Sequence, residues 1–204
     1  MYKSSFIKKT IAASVLVTSA YSVASADLSK GGIFLEPSVT YTSGEMKTSY
    51  PIFNDSTEKT TGLGLGLRLG AHVHESIFLG ADVRYSMLSL DSSALNGKAD
   101  ANALNYGVTL GAQTPVAGLR VWGTYIIGGE LDPKEINSVD AKFKEQTGYR
   151  VGVGFYVAVV SLNLEYQDTK FNKLESESGI TGTTDSITGE DKAWIASVSF
   201  PVSF

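Results

Sequence analysis

The sequence predicts an all-β chain: an eight-stranded antiparallel up-and-down barrel that crosses a membrane, preceded by a cleaved N-terminal signal peptide. Three observations carry this. Apolar and polar residues alternate with period two in eight separate stretches, and the connections between them alternate short and long. After residue 26 no run of about 20 apolar residues exists, which excludes a membrane-spanning helix.

The first residues read as a leader. Lys3, Lys8 and Lys9 form a short basic region, an apolar stretch runs from Ile11 to about Val23, and Ala24-Ser25-Ala26 gives the small-x-small cleavage pattern. Cleavage between Ala26 and Asp27 is expected, with residues 27–204 forming one barrel domain. Removing those three lysines leaves 14 basic against 21 acidic residues, a balance of −7. So acidic a chain is a poor partner for nucleic acid. An exported chain without cysteine must be held together by something other than disulfides.

Alternate residues of a strand point to opposite faces. In the first stretch Ile33, Leu35, Val39 and Tyr41 oppose Phe34, Glu36, Ser38 and Thr40. In the second, Leu63, Leu65, Leu67, Leu69, Ala71 and Val73 oppose Gly62, Gly64, Gly66, Arg68, Gly70 and His72. A helix would smear those leucines around its surface, and repeated glycine would weaken it. The third sets Ile77, Leu79, Ala81, Val83 and Tyr85 against Gly80, Asp82, Arg84 and Ser86. The fourth sets Leu104, Tyr106, Val108, Leu110 and Ala112 against Asn105, Gly107, Thr109, Gly111 and Gln113. The fifth sets Leu119, Val121, Tyr125 and Ile127 against Arg120, Thr124, Gly128 and Glu130. The sixth sets Phe143, Tyr149, Val151, Val153 and Phe155 against Lys144, Gln146, Arg150 and Gly152. The seventh sets Leu162, Leu164 and Tyr166 against Ser161, Asn163, Glu165 and Gln167. The last sets Trp194, Ala196, Val198, Phe200, Val202 and Phe204 against Ser197, Ser199 and Ser203.

Short connections fall at residues 74–76, 114–118 and 157–159, and long polar ones at 43–61, 91–100, 132–142 and 168–191. Short turns at one end and long loops at the other are the pattern of a bacterial membrane barrel. A soluble sandwich or lipocalin-like barrel would turn its polar face to water and carry lysines there. Here the polar face holds glycine and isolated charges, and the apolar face carries aromatics in bands. Tyr41, Tyr85, Tyr106, Tyr149, Tyr166 and Trp194 lie towards the long loops, and Phe155, Phe200 and Phe204 towards the short turns. Such bands resemble the girdles at the two membrane interfaces. Pro37 and Pro201 fall in the first and last strands, which must pair to close the barrel. Each lacks an N–H donor, so an irregular seam is expected.

Val198, Phe200, Val202 and Phe204 alternate up to the terminal phenylalanine. This resembles the C-terminal signal read by the barrel assembly machinery of Gram-negative outer membranes. With the leader, strand count and length, the chain resembles the small eight-stranded outer-membrane barrels of the OmpA-barrel and OmpX type. The resemblance implies the cell outer membrane as location and the assembly machinery as a partner during export. Contact with outer-membrane lipid and lipopolysaccharide is expected with it; a monomer is expected because a closed barrel needs no partner to satisfy its backbone, and no cofactor is expected.

The inward face then carries eight charges: Arg68, Arg84, Arg120 and Arg150, balanced by Glu36, Asp82, Glu130 and Glu165. Buried charges are costly unless paired, so an interior ion network is expected. Phe34, Phe78, Trp122 and Tyr156 point inward near the short turns and should form an aromatic floor. Both features fit a barrel too narrow for a channel, and a narrow gated ion path is the alternative. Catalysis is not expected. The two histidines, His72 and His74, sit at a short turn with Ser76 and Glu75 but without a pocket, and neither a metal nor a nucleophile–base pair is read there. The expected role is a structural scaffold whose four long loops meet a host or cell-surface partner, with a lipid-modifying enzyme the least favoured reading.

Overall fold

A computed structural model describes residues 32–49, 56–92, 97–114, 118–134, 140–157, 159–178 and 188–204. The leader and its cleavage site at Ala26 and Asp27 lie outside the described residues. Nine strands follow in order: β1 (Gly32–Ser49), β2 (Ser56–His74), β3 (Ile77–Ser92), β4 (Gly97–Gln113), β5 (Leu119–Pro133), β6 (Asp140–Val157), β7 (Val160–Ser178), β8 (Thr188–Ser199) and β9 (Val202–Ser203). All pairings are antiparallel between neighbours, and β1 pairs with β2 on one side and with β8 and β9 on the other. β8 and β9 are two pieces of one stave, so the chain closes into an eight-stave barrel.

The closing seam keeps one register throughout. Ser38 faces Ser199 above the prolines, and Leu35 faces Val202 below them. The ladder skips only Phe200 and Pro201, opposite Pro37 and Glu36. There the Phe200 N–H still donates to the Pro37 carbonyl at 2.9 Å. The irregularity expected of the two prolines is thus a local gap, not a slip. The strands also run further towards the long connections than alternation suggested. Residues 43–49 and 56–61 are strand, as are 168–178 and 188–191.

The molecule is inside out relative to a soluble protein. Leu63, Leu65, Leu67 and Leu69 are about half exposed on the outer face, as are Val121, Val151, Val153 and Leu162. A continuous apolar band around a closed sheet needs a hydrocarbon solvent. Closure pairs the backbone of each stave with both neighbours, as a hydrocarbon surround demands. Tyr41, Tyr85, Tyr106, Tyr149 and Trp194 are exposed on the same face towards the long-loop end, with Tyr166 tucked against Trp194 at 5.2 Å between ring centres.

One region departs from simple alternation. In β5 the register shifts opposite Tyr106 and Gly107, with Ile127 as the extra residue. The β5–β6 ladder pairs Ile126 with Gly148 and resumes only at Glu130 with Lys144. Glu145 of β6 takes a left-handed φ of 57°, and Asn172 of β7 donates to the Glu145 carbonyl at 3.2 Å. The extra residues invert which face each strand shows beyond the bulge. Leu131, Leu174 and Phe143 turn inward. Leu131 and Phe143 join Met46, Leu90, Ala101, Ala103 and Phe171 in an apolar cluster inside the extracellular end. Three expectations fail for this reason. Phe143 does not face lipid, and neither Lys144 nor Glu130 faces the lumen.

Candidate functional site

The lumen is built in layers from the short-turn end upward. At the bottom Phe34, Phe78 and Trp122 form a buried cluster. The Phe34 and Phe78 rings meet edge to face at 5.7 Å, and His72 lies 5.1 Å from Phe34. Inward glycines make the floor fit. A Cβ at Gly111 would strike the Phe78 ring, and one at Gly152 would lie 2.5 Å from Trp122. Tyr156, one residue from the end of β6, lies outside this cluster and stays partly exposed. His74 sits at the turn, accepting a long 3.4 Å contact from the Ser76 N–H.

Directly above the floor, seven of the eight charges expected inside come together. Register explains part of it: Glu36, Arg68 and Asp82 are Cα partners in one row across β1, β2 and β3. Arg120 donates two hydrogen bonds of 2.8 Å to the Glu36 carboxylate, a bidentate pair that Ser199 completes at 2.6 Å. Arg68 bridges Glu36 at 3.4 Å and Asp82 at 3.2 Å. Arg84 reaches Asp82 through Nε at 3.0 Å and Glu165 through both terminal nitrogens at 2.5 and 2.9 Å. Arg150 donates to Asp82 at 2.8 Å, to Asn105 at 2.7 Å and to Gln167 at 2.9 Å. Arg150 and Glu165 are completely buried. Such bidentate, charge-assisted bonds are the strong ones.

Floor and network are one unit. The Trp122 indole N–H donates to Glu165 at 2.8 Å. The Arg68 guanidinium lies over the Trp122 ring at 4.9 Å and the Arg120 guanidinium over Phe78 at 5.2 Å, in cation–π geometry. Every stave supplies a side chain to the network, from Glu36 on β1 to Ser199 on β8.

Glu130 does not belong to the site. The β5 bulge places it on the outer face, opposite Leu104 and Lys144. The fourth interior acid is Asp191, which alternation had left in a loop. Asp191 is the Cα partner of inward Met46 and accepts 2.6 Å from Gln167, itself bonded to Arg150. The signal was present: Asp191, Ala193, Ile195 and Ser197 continue the inward phase of β8 upward.

Above the network a polar chamber of about 30 Å³ is lined by Thr40, Thr42, Thr60, Asn105, Gln167 and Asp191. That is room for about one water. The apolar cluster of Met46, Leu90, Leu131 and Phe171 caps it. A gap of about 10 Å³ remains among Glu36, Arg68, Asp82 and Glu165. The site therefore binds its own charges, and the two spaces left beside them are small. Among the described residues no group of three or more His, Cys, Asp or Glu side chains is placed to hold a metal ion.

An inside-out, eight-stave antiparallel barrel with this interior is a transmembrane barrel of the bacterial outer-membrane type. The chain belongs to the outer membrane protein beta-barrel domain family, whose model matches residues 10–204. It is similar in structure to Neisserial surface protein A (NspA), with 12% identity, a TM-score of 0.50, and 85% of this chain and 97% of that chain covered. It is equally similar to the outer membrane protein OprG from Pseudomonas aeruginosa, with 13% identity, a TM-score of 0.50, and coverage of 85% and 96%. At these identities the likeness is one of fold. A comparison with curated proteins finds no match. The family places the protein in the Gram-negative outer membrane.

Proposed function

We propose that the protein is a plugged outer-membrane scaffold that acts at the cell surface through its four long connections and does not conduct. The observation that carries this reading is the layered lumen: an aromatic floor, an ion network fed by all eight staves, and an apolar cap. An eight-stave barrel is just wide enough to be filled by side chains, and this one is. What remains for recognition is the polar outer end, where loops carry function on a rigid frame. The sequences between β1 and β2 and between β7 and β8 are the candidate contact regions for a host or cell-surface partner. Catalysis has no part in the reading, since His72 lies against the floor rings and His74 at a tight turn.

Two measurements test it. Refolded protein in planar bilayers should give no stable single-channel steps, and a conductance abolished by Arg68→Ala would replace the plug with a channel. Deleting residues 50–55 and 179–187 should leave the heat-modifiable gel shift intact and abolish adhesion of expressing cells to host cells or matrix. Adhesion that survives the deletions removes the surface role.

A further inference from the structure

The break in the β5–β6 ladder opens a recess in the outside of the wall. No rung joins the two strands between Ile126–Gly148 and Glu130–Lys144, and the recess beside the break encloses about 580 Å³. Its lower wall is apolar: Leu104, Tyr106 and Ile127, all exposed. Gly128 lies behind the Tyr106 ring, and a Cβ at that position would collide with the phenol. Its upper wall carries Glu130, Lys144, Glu145 and Asn172.

The donors of that upper wall are already spent. The Lys144 ammonium is bound to the carboxylate of Glu175, which is not part of the lining. The Asn172 NH2 donates to the Glu145 carbonyl at 3.2 Å and to the Thr147 hydroxyl at 3.3 Å. The carboxylates of Glu130 and Glu145 form no ion pair with any described residue. What faces the recess is therefore a set of acceptors, two of them anionic, above an aromatic and aliphatic wall.

We infer that this recess binds an amphipathic organic ammonium, a protonated amine on an aromatic or short alkyl body. Charge argues first: two carboxylates without a cation of their own attract one from outside, and the exposed Tyr106 ring offers the same ion a cation–π contact. Position comes next. Tyr106 belongs to the aromatic band with Tyr85 and Tyr149, so the recess lies where hydrocarbon gives way to water. An apolar body set against Leu104 and Ile127, with its charged head raised to Glu130 and Glu145, spans that boundary. The volume lies within the range of small-ligand sites. A lipid headgroup carrying phosphate is the wrong partner, because its anion would face both carboxylates while Lys144 is engaged elsewhere.

Isothermal titration calorimetry of the refolded full-length barrel in dodecyl maltoside micelles, blanked against empty micelles, tests this with probes of similar shape and different charge: phenethylammonium, phenethyl alcohol and phenylacetate. One ammonium per barrel should bind, at least about tenfold more tightly than the alcohol, and phenylacetate should not bind. Glu130→Gln and Glu145→Gln should each weaken the ammonium about threefold, and Tyr106→Leu about fivefold. Glu45→Gln, exposed at the rim of β1 on the opposite side of the barrel, should leave it unchanged. The heat-modifiable gel shift confirms folding of each variant. Equal binding of ammonium and alcohol, binding of phenylacetate, or equal loss in the Glu45 variant overturns the proposal. So does full affinity in the Glu130→Gln, Glu145→Gln double variant.

Discussion

Glu165→Gln is the sharpest test of what holds the barrel together. The change is nearly isosteric, so packing is preserved and only charge and hydrogen-bond polarity change. Glu165 is completely buried and accepts three short bonds, from Arg84 at 2.5 and 2.9 Å and from Trp122 at 2.8 Å. With glutamine one oxygen becomes an amide NH2, a donor facing donors. Two charge-assisted bonds of about 1.5–3 kcal/mol each are weakened or lost. The lumen is also left with one positive charge in excess, and breaking a buried pair from one side costs about 3–5 kcal/mol. The expected loss of stability is therefore about 3–5 kcal/mol. The control is Glu190→Gln, whose partner Lys170 lies 3.0 Å away on the solvated outer rim; an exposed pair is worth about 0–1 kcal/mol. Urea unfolding in lipid vesicles, followed by the emission of the two tryptophans, reads both. Adding Arg84→Met to Glu165→Gln should recover part of the loss, because the orphaned guanidinium is removed. A Glu165→Gln loss of under about 1 kcal/mol, or one equal to the control, would show that the network fills the lumen without holding it.

The floor and the lipid face give two further tests. Phe78→Ala should cost about 3–5 kcal/mol by cavity formation, and Gly111→Val about 1–3 kcal/mol by pushing the Phe78 ring off its seat; Trp122 emission should shift red in both, and an unchanged spectrum would mean the floor is not a unit. Leu67→Arg, in the middle of the outer apolar band, should cost about 2–4 kcal/mol in vesicles. A neutral result in the same unfolding experiment would misplace the membrane on this barrel.

Much of this structure was legible because a barrel wall is a period-two object. The face assignments hold wherever pairing is regular, whereas the register of the seam is seen only in the structure. What alternation cannot see is an inserted residue. Ile126-Ile127-Gly128-Gly129 offers two isoleucines and two glycines in a row, and nothing in the pattern says which residue is extra. A bulge there inverts the rest of β5, and the left-handed Glu145 does the same in β6, which is why alternation reads Glu130 and Lys144 as interior and Phe143 as lipid-facing. A related signal was readable but blurred by the polar composition of the long connections. Met46, Leu88 and Leu90 continue the inward phase of Thr42 and Ser86, so the extracellular cap was written in the same period as the charges below it. The network itself was legible as types at positions but not as pairs. Which acid an arginine reaches depends on side-chain length across the lumen, as when Arg120 of β5 spans to Glu36 of β1.

The two basic residue types are segregated, and this bears on function. All four arginines of the chain are in the lumen, whereas every described lysine lies at the long-loop end of the strands. A crowded lumen selects the planar guanidinium, whose fork serves two acids at once, while the hydrated ammonium suits the outer rim. Sharing makes the lumen resist opening. Asp82 receives Arg68, Arg84 and Arg150, so swinging any one arginine aside uncovers charge on a carboxylate the others still hold. At about 3–5 kcal/mol for an uncompensated charge, a broken network is populated at about one part in a hundred to one in several thousand. Even that state remains closed below by Phe34, Phe78 and Trp122, and above by Met46 and Phe171. On the proposed reading, an ion path would need separate openings at three heights. On that reading the interior supplies rigidity, and contact with the surroundings falls to the loops.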